Sequence, residues 1–101
     1  MTRRAARIDA NQPEIVKALR RAGATVTPTH TASDGFPDLA VGFRGVNYLI
    51  EVKDGDKPPS ARELTGPQQE WHVTWGGQVA VVKDVGEALA VLGLNVRGQI
   101  S

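Results

Sequence analysis

The chain has 101 residues, 41% hydrophobic and 23% charged, with a formal net charge of +1, a balance that fits one globular domain with a single core and excludes a disordered chain. Cysteine is absent, so disulfides, thiolate zinc sites and thiol nucleophiles are excluded. No apolar run approaches the roughly 20 residues of a membrane span, and no signal-peptide core is present, which makes a cytoplasmic protein without membrane association the expectation.

Charge is unevenly spread. Residues 1–21 carry Arg3, Arg4, Arg7, Lys17, Arg20 and Arg21 against Asp9 and Glu14, a net +4, which leaves −3 for the remainder. Such an asymmetry suits a polyanion gripped at one place and processed at another; a solvated helix face explains the same charges. Residues 1–10 are expected to form a flexible basic arm and residues 11–101 a single domain.

A helix is predicted from Asn11 or Gln12, with a polar cap, Pro13 in the first turn, Ile15, Ala18, Leu19 and Ala22 at helical spacing, and Gly23 as its stop. Glu14 falls in the first turn, where a carboxylate also interacts favourably with the helix dipole. Residues 24–28 read as a strand, followed by a polar connector carrying His30 and Ser33. Pro37 restricts Phe36 to extended backbone, so Asp38 is presented from a stiffened segment.

The densest chemistry lies in residues 35–53. Residues 39–43 are a buried-strand pattern, Arg44-Gly45 offers a turn, and residues 46–53 are a second strand rich in β-branched and aromatic side chains. A two-residue turn would set Phe43 opposite Val46 and Asp38 opposite Glu51, whereas a three-residue loop with a bulge at Gly45 would shift the pairing by one. Alternation places Leu39, Val41, Phe43, Val46, Tyr48, Ile50 and Val52 on one apolar face. Asp38, Glu51 and Lys53 share the other. Two facing carboxylates repel unless a cation lies between them, and oxygen ligands completed by water are what Mg²⁺ favours. Lys53, on the same face, is placed to hold or deprotonate a water or to neutralise charge on a reacting phosphate.

Residues 54–60 form a loop rich in Pro and Gly. Thr65 with Gln68 is a capping-box pattern opening a helix that carries Trp71 and Trp75, read from their helical spacing as core residues rather than base-stacking platforms. Residues 78–83 read as a strand buried on both faces. Asp84 with Glu87 is a second capping box, starting a helix that ends at Gly93. The tail, with Leu94, Val96 and Ile100, reads equally as an extra strand or a partner contact.

The sequence Gly35-Phe36-Pro37-Asp38-Leu39, followed by Glu51-Val52-Lys53, resembles the PD-(D/E)XK nuclease superfamily, and more narrowly the small stand-alone VRR-NUC domain nucleases of bacterial viruses. That resemblance covers roughly residues 11–93. It implies an α/β, restriction-endonuclease-like αβββαβ core with a mixed central sheet flanked by helices. It implies further that Asp38, Glu51, Lys53 and Gln68 are catalytic, and that Mg²⁺ or Mn²⁺ is held by Asp38, Glu51, the Val52 carbonyl and Glu14 from the first helix. The expected activity is metal-dependent hydrolysis of DNA phosphodiesters, leaving a 3′-hydroxyl and a 5′-phosphate. Relatives of this kind imply branched substrates such as Holliday junctions and a bacterial or infected bacterial cell; because one domain this small cuts one strand, a homodimer is expected to supply the two cutting sites. The rival reading is a non-catalytic nucleic-acid-binding or assembly module on the same fold. A sequence-specific restriction enzyme fits less well, because so short a chain has no segment to spare for base readout.

Overall fold

The computed structural model describes residues 8–100; Arg3, Arg4 and Arg7 of the expected basic arm lie outside the described residues. Helix α1 (Gln12–Arg21) has Pro13 in its first turn and buries Gln12, Ile15 and Leu19, the stripe that its 3.6-residue period brings to one side. Gly23, at a φ of +103°, takes the left-handed conformation that stops the helix. Strands β1 (Thr25–Pro28), β2 (Leu39–Phe43) and β3 (Val46–Val52) follow, then a 3₁₀ turn (Pro59–Arg62), α2 (Gly66–Thr74), β4 (Ala80–Val82) and α3 (Val85–Val91).

The four strands lie in one mixed sheet in the order β1-β2-β3-β4, antiparallel from β1 to β3 and parallel between β3 and β4. Phe43 pairs with Val46 and Leu39 with Ile50, so the two-residue turn is the one formed. Arg44 and Gly45 both have positive φ, 52° and 80°, as the type I′ hairpin requires. The Arg44 guanidinium lies 5.0 Å from the centre of the Phe43 ring, a cation–π contact that offsets part of the cost of a left-handed arginine.

Leu39, Val41, Phe43, Ile50 and Val52 form the sheet side of the core, against Ile15 and Leu19 of α1 and Ala88, Leu89 and Leu92 at α3. Two apolar expectations change. Strand β4 is only three residues long, and as an edge strand it buries Val82 while leaving Val81 46% exposed, so it is not covered on both faces. Helix α2 buries no residue at all; Trp71 and Trp75 are therefore not core. In the tail a single bridge joins Leu94 to Ile100; Leu94 is buried and Val96 and Ile100 face solvent. No described helix is long and apolar enough to cross a membrane.

Candidate active site

The polar face of the β2–β3 hairpin gathers its chemistry at one end. Asp38 sits just before β2, its backbone pinned by the Thr29 N–H, which donates to the Asp38 carbonyl at 2.7 Å, and by the Thr29 hydroxyl, which donates to the Pro37 carbonyl at 2.8 Å. Its carboxylate accepts the Val52 N–H at 2.8 Å. The carbonyl of a strand residue points to the same side as its N–H, so the Val52 oxygen opens toward the same gap. Glu51 is 1% exposed, and its Oε1 has no hydrogen-bond partner.

Burial first, and then the adjoining Asp38 carboxyl, push the Glu51 pKa up from 4.5 to about 9. Lys53 opposes that rise, with its ammonium 3.9 Å from Glu51 Oε2, yet a single positive charge does not win. Two pH units between 7 and 9 correspond to about 3 kcal/mol for ionising Glu51 at neutral pH. A divalent cation held beside Glu51 would bring a larger opposite charge than the ammonium and so favour the ionised carboxylate.

Gln68 joins the two halves of the site. Its Oε1 accepts the Lys53 ammonium at 2.7 Å and also the Thr65 N–H at 2.9 Å, while its Nε2 donates to Glu51 Oε2 at 2.9 Å. The capping box is complete as well, with the Gln68 N–H donating to the Thr65 hydroxyl. Cap and active-site partner look like competing roles in the sequence. They are compatible because an amide oxygen has two lone pairs and the nitrogen is still free to donate. Helix α2 is set against the site by Gly35, whose φ is +83° and where an added Cβ would meet the Pro67 carbonyl at 2.3 Å. One turn after Gln68, His72 leaves its buried Nε2 unpartnered; desolvation, and then the Lys53 charge, lower its pKa and keep the ring neutral at pH 7.

Asp38, Glu51, Lys53 and Gln68 are thus brought together; Glu14 is not. Glu14 is exposed, and at 3.6 residues per turn it lies about 200° around α1 from the buried Gln12. Its place in the first turn reflects solvent and the helix dipole. The α1 end reaches the site by other residues. Asn11 does not cap the helix with its side chain; it donates instead to the carbonyls of Lys53 and Lys83 at 3.1 and 3.0 Å, tying α1 to the ends of β3 and β4. Gln12 is 4% exposed with its Oε1 unpartnered. Asp9 pairs with Lys57 at 3.6 Å, and its charge adds to the rise in the Glu51 pKa. Asp9 is therefore bound to the domain, although the sequence places it in the arm. The signal for Gln12 was the 12, 15, 19 spacing, which continues the buried stripe one turn toward the helix start.

The sequence matches no protein-family model and no curated protein. The fold is similar to that of a solved VRR_NUC domain, with a TM-score of 0.59 and 25% identity over 80% of this chain and 88% of that one. That match supports the resemblance to VRR-NUC domain nucleases that the sequence carries. The nuclease-type α/β core places Asp38 and Glu51 at the end of the central hairpin. Among the described residues no three His, Cys, Asp or Glu side chains converge. The site instead offers the two carboxyl groups, with one Glu51 oxygen unpartnered, and the Val52 carbonyl, an oxygen-only set that fits a hard divalent cation keeping several waters.

Proposed function

We propose that this chain, similar in fold to a VRR_NUC domain, is a metal-dependent endodeoxyribonuclease selective for branched DNA such as Holliday junctions. The observation that carries the reading is the Asp38–Glu51 pair bridged through Gln68 to Lys53. Asp38, Glu51 and the Val52 carbonyl would hold Mg²⁺ or Mn²⁺, with the Gln12 amide oxygen filling the α1 position that Glu14 leaves. When bound, that cation polarises the phosphate and lowers the pKa of a coordinated water.

The protein's own groups do the remaining work. Lys53, 9% exposed, keeps its ammonium largely out of bulk water, where its charge acts more strongly on a developing phosphorane oxygen. Gln68 fixes that ammonium at 2.7 Å and ties it to Glu51, so acid and amine hold one geometry as substrate arrives. Phosphate contacts are available from Lys17 and Arg20, which line a cleft of about 440 Å³ between α1 and the end of β1 together with His30. One small domain has one such site, and resolving a four-way junction takes two cuts. A twofold homodimer supplies them.

The test incubates the protein with four-way, flapped and linear DNA in Mg²⁺, Mn²⁺ or EDTA, alongside Glu51→Ala and Lys53→Ala. Metal-dependent cutting of branched DNA, lost in both variants, is expected. Binding without cleavage would assign the domain to a non-catalytic role.

A further inference from the structure

The aromatic residues that fail to enter the core form a layer of their own beside the catalytic groups. The rings of Trp71 and Trp75 stack at 4.6 Å with planes 18° apart, and Phe36 meets Trp71 edge-on at 5.3 Å. Two members of this layer adjoin the site in the chain: Phe36 precedes Asp38 by two residues, and Trp71 follows Gln68 by three. Trp75 is 41% exposed yet held in place. Its indole N–H donates to the Gln78 carbonyl at 3.3 Å, and Gly77 lies so close beneath it that an added Cβ would approach the indole nitrogen to 2.9 Å.

An exposed tryptophan costs free energy in water; stacking on Trp71 recovers part of that cost, yet Trp75 is left 41% exposed. A flat, fixed π-face is what single-stranded nucleic acid uses, because every base offers a face to stack on. We propose that Trp75 stacks an unpaired nucleobase of the strand being cut, two helical turns, or about 10 Å, from Gln68. This rests on the nuclease reading and names a substrate feature of the same site, an unpaired base near the cleaved phosphate. Branched and frayed DNA presents such bases and a continuous duplex does not.

Trp71 and Trp75 are the only tryptophans in the chain, so fluorescence excited selectively at tryptophan, away from Tyr48, reports on this layer alone. In EDTA, the protein is titrated with an oligothymidylate and with an abasic deoxyribose-phosphate strand of equal length. The thymine strand is expected to quench the fluorescence and to bind roughly five- to a hundred-fold more tightly than the abasic strand. Trp75→Ala removes that preference, with the fold checked by circular dichroism, and Trp75→Phe keeps most of it. Equal binding of both strands, or a preference that survives Trp75→Ala, overturns the inference. So does a fluorescence shift that depends on protein concentration without DNA, which would assign the face to a second copy. Cleavage in Mg²⁺ that persists beside equal binding leaves the nuclease reading standing; quenching without cleavage in any metal leaves the stack and removes the nuclease.

Discussion

Gln68 accepts the Lys53 ammonium, 2.7 Å away, on the same oxygen that takes the N–H of its own helix cap. Folding α2 and ordering the Lys53 amine are therefore one event. A helix with no fully buried residue is anchored by its polar first turn, by Gly35 under Pro67 and by the Phe36–Trp71 contact.

Gln68→Ala is expected to lower the cleavage rate about 10- to 100-fold and to reduce stability by roughly 1–2 kcal/mol through loss of the cap and its bonds. Gln68→Glu keeps an acceptor for Lys53 but sets a second carboxylate against Glu51, so it should rescue the cap and not the rate. Single-turnover kinetics and urea unfolding separate the two effects.

Gly35→Ala combines an unfavourable positive φ with a backbone collision at Pro67. A loss of about 2–4 kcal/mol is expected, with α2 displaced from Lys53. Gly45→Ala, where φ is +80° and no atom lies within 4 Å of the added Cβ, should cost only the conformational part, about 1–2 kcal/mol. Comparing the two by chemical denaturation isolates the Pro67 contact.

Hairpin, register and polar face are legible in the chain because a period of two admits a single buried face once the Arg44-Gly45 turn is set. The helices are harder to read. Trp71 and Trp75 have the spacing of a core stripe, and nothing local tells that no layer covers α2. Asn11 looks like a cap because capping is a local interaction, whereas its carbonyl partners come from residues 42 and 72 positions away. Glu14 attracts attention as the only carboxylate on α1; the helical period, followed from Ile15 and Leu19, points to Gln12.

That choice is testable. Glu14→Gln should leave metal affinity and cleavage within about twofold of the parent, since exposed substitutions rarely matter. Gln12→Leu should weaken Mn²⁺ binding several-fold, and Gln12→Glu should retain or strengthen it. Isothermal titration with Mn²⁺ reads both; a large effect at Glu14 with none at Gln12 would restore the sequence-based assignment.

Without metal, Glu51 keeps its proton in the folded state up to about pH 9 and releases it near 4.5 when unfolded. The folded protein then binds the extra proton between those values. Its stabilising effect is complete below about pH 4.5 and declines as pH rises toward 9. Urea unfolding in EDTA should show stability falling by up to about 1.4 kcal/mol per pH unit in that window. Glu51→Gln should flatten the slope.

The same proton supplies the most direct test. Calorimetric titration of Mg²⁺ or Mn²⁺ at pH 7, repeated in buffers of different ionisation enthalpy, counts protons released on binding. With Glu51 raised to about 9, close to one proton should leave for each ion bound, and Glu51→Gln should release none. Metal binding without proton release, or equal release from the Glu51→Gln variant, would contradict the claim that Asp38 and Glu51 share a divalent cation.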